Sequence, residues 1–199
     1  MTTFAWPPGW MPQTLAIALV PNLRTHQSPY TMDTQVIDLV ASRWRMTFTM
    51  PEGKQATGPQ YEAFFNALHG RANRVTLSHF LRPVPRGTLR GGRLSLGVNV
   101  LQGANSINFG TDYPGATLLA GDIVGMGGEL LMVAADSTVG VDAYVTVPLV
   151  NRVRVARAVG FSLVLDHPTA TFMMTSDVVP IQYGPGKRDA FQVEFIESW

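Results

Sequence analysis

Cysteine is absent from this chain of 199 residues. That excludes a disulfide framework and any thiolate metal site. Charge is scarce as well. Asp, Glu, Lys and Arg together make up 15% of the chain, against roughly 25% in ordinary soluble domains. Surface charge keeps free monomers apart, so a sparse supply points to a surface covered by partners. A monomer with a Ser/Thr-rich surface is the plainer alternative. The net charge of +1 provides no strong field for nucleic acid or an anionic membrane. No apolar run is long enough to suggest a membrane-crossing helix. The start lacks a Lys/Arg-rich segment, and Pro7, Pro8 and Pro12 interrupt any apolar stretch, so no secretory signal is expected.

The usual chemical signatures are also missing. His26, His69, His79 and His167 are not spaced to share a metal, and no HExxH motif occurs. No Gly-x-Ser-x-Gly elbow supports a hydrolase serine. Residues 184–188 (GPGKR) lack the spacing of a phosphate loop and read as a hairpin turn with exposed basic ends. Asp122, Asp136, Asp142 and Asp166 fall in expected turns, where Asp bonds its local backbone, and are not spaced as a calcium loop. Neither a catalytic set nor a cofactor site is expected.

What the chain does have is turn residues and short apolar runs. It holds 19 Gly and 14 Pro, and 46% of it is hydrophobic. This is the composition of many short strands around a sizeable core. The densest such stretch is residues 115–150. There Gly127-Gly128 separates two apolar runs, and such a pair signals a hairpin because a type I′ turn needs φ > 0 at both central positions. Strands this short need a closed or layered sheet, so a small β-barrel or sandwich is expected here.

Residues 1–30 should hold two strands at most, with Thr14–Val20 the better one. Phe4, Trp6 and Trp10 around Pro7 and Pro8 read as an extended arm or an edge. Residues 21–35 are polar and turn-rich, an extended segment able to reach a neighbouring subunit. Arg43–Met50 has the clearest period of two: Trp44, Met46, Phe48 and Met50 share one face, as in a half-buried antiparallel strand. A helix follows. Pro59 fits its first turn, Tyr61, Phe64, Phe65 and Leu68 form one stripe, and Gly70 can end it. Residues 74–80 return to strand. The aperiodic stretch 81–92 reads as a linker. Further strands are expected at 93–100, with Leu94, Leu96, Val98 and Val100 on one face, and at 106–110, 143–147, 161–165, 170–175, 178–183 and 190–196. Residues 151–160 suit either a strand or a short helical turn. Arg82, Arg86, Arg90 and Arg93 have no acid between them. They are candidate interface contacts, since Arg is enriched at interfaces. Lining of a DNA-conducting tube and a solvated linker are the other readings.

The block from Trp44 to Phe80, with its core GPQYEAFFNALHGRANRVTL, resembles the N-terminal half of distal tail proteins of long-tailed bacteriophages. Residues 115–136 and 145–174 resemble a β-module of the same class of minor tail proteins, through Gly-x-x-Leu-x-x-Gly-Asp, Pro-Leu and Pro-Thr-x-x-Phe. The final segment to Trp199 resembles the end of such proteins, and the likeness spans about residues 36–199. It implies a mainly β chain: a β-sandwich-like ring domain with one helix packed on it, from 1–81 and 176–199, and an inserted small β-barrel module, 82–175. It implies a structural, non-enzymatic role at a virion tail tip or baseplate, in a particle assembled in the bacterial cytoplasm. Expected partners are copies of itself in a homohexameric ring, the tail tube protein, and hub or fibre proteins. No membrane and no specific nucleic-acid binding are expected, although DNA would pass through the ring lumen. Arg82, Arg86, Arg90, Arg93, Trp6 and Trp10 are the candidate interface residues. A threefold hub and a carbohydrate-binding β-module, with Trp6, Trp10 or Tyr113 stacking on sugar, are the alternatives.

Overall fold

The period-two run at Arg43–Met50 does form a strand, and the alternation sets its sides. Trp44, Met46, Phe48 and Met50 are all at most 2% exposed. Burying Met46, Phe48 and Met50 contributes roughly 5–9 kcal/mol before entropy is counted. In the computed structural model, which describes residues 1–39 and 41–198, this strand is one of six in a single sheet. The order across that sheet is Thr3–Ala5, Arg74–Ser78, Thr169–Met174, Phe191–Glu197, Arg43–Met50 and Thr14–Val20. Phe191–Glu197 runs antiparallel to Arg43–Met50, with Val193 opposite Phe48 and Phe195 opposite Met46. The apolar faces of both strands therefore coincide. Thr3–Ala5 joins parallel to Arg74–Ser78 and ends at the pair Ala5 and Thr76.

The helix spans Gly58–Ala67, entered through a 3-10 turn at Gln55–Thr57. It carries a Pro in its first positions, where a missing N–H leaves no bond unmade. Phe65 and Leu68 are buried, while Tyr61 and Phe64 are half-buried. Gly70 takes φ of 62° just beyond the helix, a left-handed conformation that costs glycine least. Trp6 sits edge-on against Phe48, Phe64 and Phe195 at 5.2, 5.6 and 6.4 Å. Of the two readings for this opening, an extended arm or an edge, the edge holds for Thr3–Ala5, while Trp6 packs half-buried among aromatic rings.

The chain divides into two compact units. One takes Met1–Ala18, Trp44–Pro83 and Thr169–Trp199; the other takes Leu19–Arg43 and Val84–Pro168. The expected boundaries were 81/82 and 175/176. Thr169–Met174 falls with the first unit because it ladders to both Arg74–Ser78 and Phe191–Glu197. Trp199 lies outside the described residues.

Among the described residues, the second unit has a largely aliphatic core of eighteen buried residues, including Leu96, Ile107, Val124, Leu131, Val147 and Leu165. Its ladders are short: Ser106–Gly110 between Tyr144–Pro148 and Ser95–Leu96, Thr117–Leu118 with Ser137–Thr138, and Ile123–Met126 with Glu129–Met132. The last pair is the expected hairpin. Its two-residue turn, Gly127-Gly128, has φ of 61° and 84°, the positive values a type I′ turn demands.

Several expectations fail for identifiable reasons. Residues 21–35 are no extended arm: Leu23–Gln27 and Thr34–Asp38 form an antiparallel hairpin, closed by Ser28 N–H donating to Asp33 O at 2.9 Å. This makes three strands, not two, within residues 1–30. Residues 81–92 are no free linker, since Leu89 lies in the second core and Leu89 N–H donates to Thr117 O at 3.0 Å. Of the expected face, Leu94, Leu96 and Val100 are buried but Val98 is 53% exposed, because the strand Ser95–Leu96 ends before it. Residues 151–160 and 161–165 make single bridges, as between Val100 and Arg157 and between Gly125 and Val164, rather than strands or helix. Over 178–183 only Tyr183 is in a strand.

Candidate functional site

The two candidate tryptophans come together. Trp6 and Trp10 meet edge-on at 5.9 Å, and Trp6 Nε1–H donates to Trp10 O at 2.8 Å. Trp10 also stacks on Tyr61 of the helix, with centroids 3.9 Å apart. Both rings are half-buried, so most of their surface is spent inside the first unit. What they leave open is a groove of about 340 Å³ walled by Trp6, Pro7, Pro8, Trp10 and Phe80, with Thr76 and Ser78 along it. None of the residues lining it is charged.

The four candidate arginines do not act as one patch. Arg82 Nε–H donates to the buried His79 ring at 3.3 Å, and His79 Nδ1 accepts the Arg82 backbone N–H at 2.9 Å. Burial, and then the neighbouring Arg82 charge, hold the His79 pKa below its usual 6.5. Arg86 donates to Ala120 O and lies 3.8 Å from Asp122. Arg90 and Arg93 are exposed, and Arg93 N–H donates to Asp112 at 3.2 Å. Arg188, read from sequence as an exposed basic end, is 1% exposed. Its guanidinium lies over Tyr61 and Phe191 at 4.3 and 5.0 Å and donates to Pro51 O at 2.7 Å. Stacking on flat rings and bonding to a backbone carbonyl offset part of the hydration that this cation gives up on burial.

Of the four turn acids, Asp122, Asp136 and Asp142 serve the backbone, while Asp166 instead meets the neighbouring His167 ring at 2.6 Å. Asp122 is buried and accepts three N–H groups, from Arg86, Gly87 and Leu119, at 2.8, 3.2 and 2.8 Å. A carboxylate with that many donors is a fastener for the 86–88 and 119–122 turns rather than a reagent. Asp136 and Asp142 likewise accept the N–H groups of Ala120 and Tyr144. Asn151 fills the place of a missing strand neighbour, accepting from Met132 N–H and donating to Leu130 O at 2.9 and 2.8 Å. Among the described residues, no three His, Asp or Glu side chains are grouped to hold a metal ion, and no helix is long and apolar enough to cross a membrane.

The feature that sequence reasoning missed is the hairpin Leu23–Asp38. Every residue of its two strands is exposed. Leu23, Val36 and Ile37 are among them, and its turn carries Tyr30 at 95% and Met32 at 70% exposure. An isolated two-stranded ribbon is marginal in water. The hairpin's own ladder continues at the base through Leu39 N–H to Asn22 O at 2.8 Å, and the Arg152–Asp38 ion pair at 3.5 Å ties that end to the rest of its unit. Its signal in the sequence was negative: neither strand alternates, because neither face meets a core. A second open border is Thr14–Val20, an edge strand of the large sheet without a charged residue or a proline. No protein-family model matches the chain, and no curated protein matches it.

Proposed function

We propose that this protein is a structural component of a phage tail tip or baseplate, a ring-forming adaptor that joins the tail tube to hub or fibre proteins. The observation that carries the reading is the hairpin Leu23–Asp38, solvent-exposed on every strand residue, with Leu23, Val36 and Ile37 on its strands and Tyr30 and Met32 in its turn left in water. Such ribbons gain stability when a partner covers them. The uncharged edge Thr14–Val20 lacks the lysines and prolines that block strand pairing, which suits it to strand addition. A closed ring of identical copies removes both open borders at once. A buried acid used as a fastener and arginines engaged with neighbouring backbone and rings fit a building block better than a reaction site. The resemblance carried by residues 36–199 makes six the expected number of copies, the virion tail the expected location, and the ring lumen a path for DNA.

Light scattering behind a sizing column, with negative-stain imaging, tests the proposal. The expected result is a ring of about six copies, formed alone or on addition of the tail tube protein. A monomer at every concentration, with and without that protein, counts against it. The carbohydrate-binding reading is weakened by the use of Trp6 and Trp10 inside the first unit. Binding on a glycan array that survives loss of both tryptophans would revive a sugar role elsewhere on the chain.

A further inference from the structure

We infer that the groove beside Trp6 and Trp10 is the socket for the hairpin tip of a second copy, with Tyr30 as the plug. This rests on the ring reading and names the two surfaces that would meet. The socket exists because strand pairing stops early. Arg74 N–H donates to Thr2 O at 2.9 Å, so the backbone groups of Arg74, Thr76 and Ser78 point toward Thr3–Ala5. The parallel ladder ends at Ala5 and Thr76, and the chain turns away through Trp6, Pro7 and Pro8. Among the described residues no strand pairs beyond Thr76 on this side. Ser78 therefore offers its N–H and C=O to the groove, whose walls are aromatic and proline rings.

The plug matches this chemistry. Ser28, Pro29, Tyr30, Thr31 and Met32 are uncharged, as is the groove, so neither side must shed the hydration of an ion. The tip is already ordered. Ser28 Oγ accepts the N–H groups of Tyr30 and Thr31, and Met32 N–H donates to Ser28 O. A preformed turn loses less entropy on docking than a free loop. Tyr30 is 95% exposed, and a tyrosine buries on the order of 150–250 Å² when seated. Its hydroxyl can stay at the rim while the ring enters the apolar part, and backbone groups of the tip can meet those of Ser78. Plug and socket are different surfaces, so the contact is head-to-tail, the type that closes into rings rather than stopping at a pair.

The absence of native cysteine makes the test clean. The full-length chain carrying Tyr30→Cys together with Pro8→Cys is oxidised mildly and run on a non-reducing gel. The expected result is a covalent ladder extending past the dimer, which neither single variant produces beyond the dimer. A control pairing Tyr30→Cys with Val141→Cys, on the fully exposed Val141, should give at least tenfold less of the higher species. Tyr30→Asp, with an unchanged circular dichroism spectrum, should shift the oligomer to monomer. A ladder of equal strength in the control, or a disulfide within one chain, overturns the inference. So does a Tyr30→Asp protein that assembles like the wild type. If the wild type still forms rings in those cases, only the plug and socket fail; if it forms none, the ring reading fails with them.

Discussion

The two units bury their cores in different chemical ways. The first packs rings. Trp6, Phe48, Phe64, Phe65, Phe80 and Phe195 meet at centroid distances between 5.2 and 6.4 Å, mostly edge-on. Its main sheet has strands of up to seven and eight residues in one ladder system, beside a small sheet of the two-residue strands Gly53–Lys54, Tyr183–Gly184 and Lys187–Arg188. The second unit packs aliphatic side chains, with Phe109 the one aromatic among its eighteen buried core members. Its core strands are two to five residues long. Short strands leave backbone groups unpaired, and side chains make up the difference: Asp122 and Asn151 each hold backbone that a longer ladder would have held. Extended ladders with aromatic packing, and short ladders with polar fasteners, are two solutions to the same accounting problem.

The contrast can be broken most forcefully at Trp6. Trp6→Ala should cost about 3–5 kcal/mol, because a large ring leaves a hole that six neighbouring rings cannot fill. Urea unfolding followed by fluorescence reads this directly, since Trp6, Trp10 and Trp44 all belong to the first unit. Next in size is Asp122→Ala. It strands three N–H donors and should cost about 3 kcal/mol, with Asp122→Asn recovering part. Circular dichroism should register that loss at a urea concentration where the tryptophan signal is still native. Equal losses in both signals would remove the distinction between the two kinds of core.

A smaller effect should come from acid. His79 is buried, and its folded pKa lies below the usual 6.5. Above pH 6.5 the ring is neutral in both folded and unfolded chains, so this group adds no pH dependence there. Below it the unfolded chain takes up the proton first, and stability falls by up to about 1.4 kcal/mol per pH unit until the folded pKa is reached. His79→Gln should flatten that part of the profile; an unchanged slope would assign the acid sensitivity to other groups. Gly128→Ala tests the turn. Nothing lies within 4 Å of the added carbon, so the cost is backbone strain at φ of 84° alone, about 1–2 kcal/mol. Val141→Ser should be the mildest, within about 0.5 kcal/mol, because Val141 is fully exposed.

Where a segment's environment repeats, its pattern could be read along the chain. Arg43–Met50 meets a core on one face throughout, and its alternation names the buried set correctly. The Gly127-Gly128 turn and the helix stripe were equally readable, since turn sterics and a spacing of three or four residues act locally. The hairpin Leu23–Asp38 was not, because both its faces are wet and no alternation marks it. Arg188 was misjudged for the opposite reason: its rings, Tyr61 and Phe191, come from the helix and the final strand. Of the candidate site, Trp6 and Trp10 were found by residue type, but their burial and the groove beside them were not.

By itself the sequence determined that this is a mainly β chain with one helix among the described residues and no disulfides, because side-chain period, turn sterics and composition act over a few neighbours. Only the tertiary structure decided that Trp6 is half-buried among aromatic rings, that Asp122 is a fastener, and that a ribbon carrying Leu23, Val36 and Ile37 stands in water. Those outcomes depend on pairs distant along the chain, such as Trp6 with Phe195 and Asp122 with Arg86. Distance in space, not order in sequence, sets whether a side chain's surface and hydrogen bonds are used up.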